Sequence, residues 1–260
     1  MLFTATLYAQ DIPAANPGRP TVSTPATLTP IGYLQFENGA LYATDSQEFA
    51  NQVGLSQVTK LTIAPRLQLL TNWQPIAYSN ADLDHTLLPG DITLGAQAVV
   101  LFGKPRLHGP ARPTVSLSYF GRAHEGTAPN LDIGGYAQSV LLLVSTDIRG
   151  FHIDTNAIQN EQVDDGSGVR RLQLGQTFSL SRAIGNFTVA GELWHFTQPL
   201  THGNCAGSLW AVSYALRPNL VFDAGFDRGL TSTSTQWEGF TGFTYLLPHR
   251  LWPARGSHRL

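Results

Sequence analysis

The chain has one cysteine among its 260 residues, so no disulfide can form within it. Cys205, in "HGNCAG", reads as a free thiol in a loop. His202 stands close by, but a reactive thiolate needs an oriented base, and nothing in the sequence supplies one. Charge is scarce as well. Only 13 % of residues are charged, about half the usual share, and Lys and Glu are few. A net charge of −2 leaves no basic field for nucleic acid. No apolar run approaches the roughly 18 residues of a membrane-crossing helix; the longest, "VLLLV" at 140–144, falls far short. That shortage does not bear on strands, which cross with about 9–11 residues of alternating polarity.

Motifs for chemistry are also missing. The histidines (His85, His108, His124, His152, His195, His202, His249 and His258) are scattered, with no metal-ligand spacing. "DDGSG" at 164–168 resembles part of a calcium loop without its later glutamate and reads as a loop tip. No cofactor or ATP motif is present, so no cofactor is expected. A Ser–His lipid hydrolase on a barrel wall would use a histidine such as His195, but no nucleophile-elbow motif accompanies it.

What the chain does have is alternation. In "RRLQLGQTFSLS" (170–181), Arg171, Gln173, Gly175, Thr177, Ser179 and Ser181 are polar or small, and the residues between them are mostly apolar. A period of two is a strand with one oily and one wet face. The pattern recurs in "NFTVAGELWHF", "GFHIDTNA", "NLVFDAGFD", "RPTVSLSYF", "RLQLLTNW" and "SLWAVSYAL". About 12 such segments are expected, the even number of a closed antiparallel barrel. They fall near 31–43, 53–63, 66–76, 91–102, 113–121, 136–147, 151–158, 169–181, 187–196, 208–216, 219–228 and 236–247.

Connections sort by length. Tight turns at 64–65, 148–150, 182–185 and 217–218, with a longer one through "GKPRLHGPA", alternate with loops near 44–52, 77–90, 122–135, 159–168, 197–207 and 229–235. In an up-and-down barrel every short turn then lies at one end and every long loop at the other. Outer-membrane barrels have this asymmetry, with short periplasmic turns and longer extracellular loops; a Greek-key sandwich has no reason for it. The short-turn end collects Lys104, Arg106, Arg112, Arg149, Arg182 and Arg217, and the long loops collect acids such as Asp45, Glu48, Glu125, Asp132 and Asp164.

The oily rows avoid charge, while the opposite rows carry Lys60, Arg66, Asp154, Arg171, Glu192, Asp223 and Glu238. A soluble core holds such charges only with partners; a watery lumen holds them readily. These residues are therefore the candidates to line a lumen, either pairing across strands to stabilise it or setting selectivity. Trp73, Tyr119, Trp210, Tyr214, Trp237 and Tyr245 lie mostly near segment ends, as an aromatic girdle requires. Trp194 falls on the polar face instead.

"RPTVSTPATLTPIGYLQFENG", "GDITLGAQAV", "GFHIDTNA" and "LRPNLVFDAGFDRGLTSTSTQWEGFTGFTYLLPHRLW" resemble bacterial outer-membrane proteins of the phenol-degradation MetA-like transporter family, over about residues 19–252. The resemblance implies an outer-membrane β-barrel that transports small, often aromatic compounds, and it brings no catalytic residue. One departure is "HRLWPARGSHRL", which runs past the last strand and moves the terminal aromatic signal inward to Tyr245 or Trp252.

The expected organisation is an export-signal remnant at 1–10, lacking a basic start, then a Pro-rich extended segment at 11–30, a barrel at 31–248 and a tail at 249–260. The expected role is a monomeric, porin-like outer-membrane channel that passes small, hydrophobic or aromatic solutes passively. Its partners would be outer-membrane lipid, the solute and the barrel-assembly machinery. The alternatives are a plugged structural or sensory barrel and a lipid hydrolase.

Overall fold

The computed structural model describes residues 13–81, 84–104, 112–129, 131–133, 135–164, 167–200 and 203–252. The leader at 1–10, most of "GKPRLHGPA", part of "DDGSG", and His108, His202 and His258 lie outside the described residues. The strands are β1 (Leu34–Thr44), β2 (Asn51–Ala64), β3 (Leu67–Ala81), β4 (Asp84–Leu88), β5 (Ile92–Leu101), β6 (Thr114–His124) and β7 (Gln138–Ile148). They continue with β8 (Phe151–Val163), β9 (Arg170–Ile184), β10 (Phe187–Gln198), β11 (Gly203–Arg217), β12 (Leu220–Gly229) and β13 (Trp237–Leu246). All neighbours are antiparallel, and β1 pairs with both β2 and β13, while β2 also pairs with β3. The sheet therefore closes as a 12-strand barrel plus one extra strand, β4, which is hydrogen-bonded to β3.

The extra strand corrects the loop expected at 77–90. β3 runs on to Ala81 and pairs there with β4 as a hairpin that extends the wall. Pro75 has no N–H to give the ladder, and it sits at a register shift, where Leu55 faces Ile76 and Gln57 faces Trp73. One residue is extra on β3, which is how a sheet tolerates proline. The shift also swaps the inward parity of β3, from Gln68 and Leu70 to Ala77 and Ser79.

The barrel is inside-out relative to a soluble sandwich. Leu174, Phe178 and Leu180 of β9 and Trp210, Val212 and Tyr214 of β11 are exposed on the outer face. Gln35, Gln52, Gln68, Gln97, Gln173 and Asn160 are among the largest fully buried side chains. An apolar band running around a closed sheet belongs in hydrocarbon, and a buried set rich in amides belongs in a polar interior. Trp73, Tyr119, Trp210, Tyr214 and Trp237 are exposed on this outer surface, whereas Trp194 is buried inside. At the short-turn end, Arg149 and Gly150 both take positive φ (52° and 81°), the two-residue hairpin geometry that matches strand twist.

Candidate functional site in the barrel lumen

The lumen is occupied from both ends by chain the strands do not use. From the short-turn end, residues 13–33 rise into the barrel as an arch and return to β1. Ala15 N donates to Pro218 O at 2.8 Å and Gly32 N to Thr62 O at 2.8 Å, which ties both feet to that end. Between the feet, wall side chains satisfy the arch's backbone donors. Asn16 N donates to Gln35 Oε1 (2.8 Å), Gly18 N to Glu37 Oε1 (3.0 Å), Thr24 N to Asn156 Oδ1 (2.7 Å), Ala26 N to Ser145 Oγ (2.7 Å) and Thr29 N to Gln68 Oε1 (2.9 Å). The apex is held by Glu192, whose carboxylate accepts Val22 N (2.8 Å), Ser23 N (2.7 Å) and Ser23 Oγ (2.6 Å). Buried backbone donors need partners. In a segment broken by Pro17, Pro20, Pro25 and Pro30 those partners come from the wall rather than from local structure.

From the other end, the chain between β6 and β7 folds inward. Gln198 Nε2 donates to Asp132 O at 2.5 Å, Gln162 Nε2 to Ile133 O at 3.0 Å and Gln52 Nε2 to Pro129 O at 2.9 Å. Asp132 Oδ1 accepts Thr235 N (2.7 Å) and Thr235 Oγ1 (2.8 Å). Burial lifts the Asp132 carboxyl above the ordinary aspartate range despite these two bonds, and burial likewise raises the Tyr136 phenol.

The apolar residues of the interior gather between arch and loop. Leu70, Phe120, Leu141 and Leu143 bury against Ala26, with Tyr136 and Ile158 packed on them. Trp194, Phe196 and Cys205 form a second cluster touched by Val22, Ile133 and Ile158. "VLLLV" is thus oily on both faces for two reasons: Val140 and Leu142 are exposed outward, while Leu141 and Leu143 meet the arch. Gly207 lets the Trp194 indole lie against β11, since a Cβ there would come within 2.2 Å of it.

Four cavities run in series along the lumen and share lining residues from one to the next. The first, of about 440 Å³ at the long-loop mouth, shares Leu131 and Asp132 with a second of about 330 Å³. The second shares Val58 and Tyr136 with a third of about 340 Å³, which shares Arg19 and Thr21 with a fourth of about 260 Å³ toward the short-turn end.

Comparison with known proteins gives the fold the same reading. An outer membrane channel from Pseudomonas putida F1 superimposes with a TM-score of 0.59 at 13 % sequence identity, over 90 % of this chain and 100 % of that one. The fold is that of a bacterial outer-membrane β-barrel. The NanC porin matches with a TM-score of 0.54 at 8 % identity, over 82 % of this chain and 100 % of its own, and the KdgM porin with 0.52 at 10 %, over 81 % and 98 %. No protein-family model and no curated protein matches the sequence.

The charged residues singled out from the sequence separate into three groups. Lys60, Asp154, Glu192 and Asp223 are buried in the lumen of this barrel. Lys60 pairs with Glu37 at 2.5 Å, and Asp223 pairs with Arg19 of the arch at 3.3 Å. Asp154 accepts a hydrogen bond from Ser145 Oγ and lies 3.2 Å from His152 Nε2. Glu238 and Arg171 lie toward the long-loop end, Glu238 half-buried on the second cavity and Arg171 exposed at the rim. Arg66 is not with them: it is exposed in the β2–β3 turn, donates to Val99 O and Val100 O at 3.0 Å, and stacks on Phe102. Its place in the alternating row was misleading because the strand begins one residue later, at Leu67.

Sequence reasoning missed Glu37, Arg19, Asp132 and Asp227. Cys205 is corrected as well. It lies in β11, fully buried, with Sγ 3.2 Å from Gln198 Nε2, rather than in a loop. His195 alternates with the buried Trp194 and Phe196 and so faces outward; no serine is hydrogen-bonded to it among the described residues. Among the described residues, no group of three or more His, Cys, Asp or Glu could hold a metal ion.

Proposed function

We propose that this barrel is a passive outer-membrane channel for small solutes, and that the solutes it favours carry a compact hydrophobic or aromatic body. The observation that carries the reading is the series of cavities from mouth to floor, whose middle members are walled by Val22, Leu70, Phe120, Ile133, Tyr136 and Phe196 inside an otherwise amide-rich lumen. An apolar chamber with few polar groups suits a small organic molecule. The channel and porin neighbours support the coarser part of the reading. The resemblance to MetA-like phenol-degradation proteins supports the finer part. In the same reading the protein works as a monomer placed in the membrane by the barrel-assembly machinery. Lys60, Asp154, Glu192 and Asp223 hold the arch, and Glu238 faces the solute.

Liposomes carrying the purified protein test this. For a small neutral aromatic such as phenol, a protein-dependent flux in excess of that through empty vesicles, and larger than the excess for a sugar of similar size, is expected. No excess flux of either solute would overturn the channel reading and leave the alternative, a plugged structural barrel. That alternative has its own support: the arch is bonded to wall side chains of β1, β2, β3, β5, β6, β7, β8, β9, β10 and β12.

A further inference from the structure

Two carboxylates of the upper chamber face each other with no cation between them. Asp227 on β12 and Glu238 on β13 are directly opposite in the register, and both line the second cavity. Like charges in that position destabilise a sheet. Asp227 is only 6 % exposed, and Trp194 Nε1 donates to its Oδ2 at 2.5 Å, yet its Oδ1 is buried without a hydrogen-bond partner. Asp132 brings a third carboxylate to the same cavity, and its Oδ2 is likewise buried and unpartnered. Among the described residues no ion pair includes any of the three. Other acids of the lumen are paired: Glu37 has Lys60, Asp223 has Arg19, Asp154 has His152, and Asp91, a fourth acid on this same cavity, has Arg122 at 3.7 Å.

The rest of the wall indicates what would fill the gap. Trp194, Tyr136, Leu41, Val58 and Ile133 line the same cavity, whose volume is about 330 Å³. The acids are not grouped closely enough to ligate one metal ion, so the partner must be larger and present an apolar surface to these walls. Aromatic rings and carboxylates together recognise organic cations, the rings through their negative faces and the carboxylates through charge-assisted hydrogen bonds.

We infer that the upper chamber is a binding site for a small organic cation with an apolar body, a protonated amine or quaternary ammonium, held between Asp227, Glu238 and Asp132 with Trp194 against its side. The inference rests on the channel reading only for why the solute arrives there, and the test keeps the two apart.

The probes are phenethylammonium, its neutral counterpart 2-phenylethanol and the anion phenylacetate, titrated into detergent-solubilised full-length protein while tryptophan emission is followed. The ammonium should bind at least about tenfold more tightly than the alcohol, the low end for a hydrogen bond to a charged group, and phenylacetate should bind most weakly. In Asp227→Asn and Glu238→Gln, with folding checked by heat-modifiable gel mobility, the ratio of ammonium to alcohol affinity should collapse toward one. Equal binding of ammonium and alcohol, or a ratio untouched by both substitutions, overturns the inference. Liposome flux of the same probes separates the readings. Transport without preference for the ammonium keeps the channel and removes the cation site. Selective binding with no flux keeps the site and removes the channel.

Discussion

Two parts of the lumen wall, built from the same alternating strands, treat charge in opposite ways. Beside the arch, acids find bases or backbone donors: Glu37 with Lys60, Asp223 with Arg19, and Glu192, level with Asp227 through Leu209, with the N–H groups of the arch. Around the second cavity, where Asp91 is paired with Arg122, Asp227, Glu238 and Asp132 have no cation, and Asp227 and Asp132 each keep an orphaned oxygen. Position on the inward face therefore does not tell a structural charge from a working one. The partner does. Where every charge is paired, the side chains hold a piece of the protein in place; where charges are left unpaired and backed by aromatic rings, the wall is complementary to something the protein itself does not supply.

The largest expected effect is in the paired part. Lys60→Met removes the cation 2.5 Å from Glu37 and leaves that carboxylate buried at 2 % exposure. Breaking one side of a buried pair costs about 3–5 kcal/mol, with the upper end softened by any water in the lumen. Equilibrium unfolding from lipid vesicles should show the loss, and the double variant Lys60→Met with Glu37→Gln should recover most of it. A loss under about 1 kcal/mol would show that the pair is screened like a surface bridge and would erase the contrast.

Next comes the apex of the arch. Glu192→Ala removes the acceptor of Val22 N, Ser23 N and Ser23 Oγ; Ser23 Oγ can still donate to Thr177, and the backbone donors meet water once the arch lifts, so the net loss is about 1–3 kcal/mol. The barrel should still form, because the strand pairs are untouched, but the arch should detach. Protease should then cut within 13–33 in the folded protein, and conductance in planar bilayers should rise. Unchanged cleavage and conductance would mean that the other wall contacts hold the arch without its apex.

How much of this was legible follows from the same division. The strand faces were plain: Leu174, Phe178 and Leu180 alternate with Gln173, Thr177 and Ser179, and the structure turns the first set out and the second in. Nothing periodic marks the arch, since its bonds join residues far apart in sequence, such as Ser23 and Glu192, and its prolines reveal only that it is extended. The inward loop left a faint trace in Ile133 and Tyr136, apolar residues in a stretch that otherwise reads as surface. Leu70 left another, an apolar exception in a polar row that now lines the chamber. The facing of Asp227 and Glu238 needed the β12–β13 register, which the alternation alone does not fix. The second half of β3 was missed because the inward row changes parity at the bulge beside Pro75, so residues 77–81 do not continue the alternation begun at Leu67.

In the unpaired part the signs should reverse. Glu238→Gln relieves a like-charge pair across β12 and β13, worth roughly 0.2–1 kcal/mol for a cross-strand pair, so the variant should be as stable as the parent or slightly more so. Stability and cation affinity would then move in opposite directions in one protein, which is the behaviour of a binding residue rather than a structural one. A destabilisation of the Lys60→Met kind would reveal a hidden partner and bring the two parts into line.

The smallest effect is on the loop that roofs the chamber, and it depends on pH. Burial holds the Asp132 carboxyl above the ordinary aspartate value of 3.8; with the loop swung out into water it would return to that value. The inward state thus binds the proton more tightly. Its stability relative to the outward state is greatest below the ordinary value, falls as pH rises through it toward the raised one, and is flat beyond. Deuterium uptake by the amides of 125–137, corrected for the intrinsic pH dependence of exchange, should therefore grow across mildly acidic pH and level off. Asp132→Asn should flatten the curve. Asp227 and Glu238 stay in place in that variant, so the part of the slope that vanishes belongs to Asp132, and a slope that survives intact places the titration on the unpaired carboxylates of the wall instead.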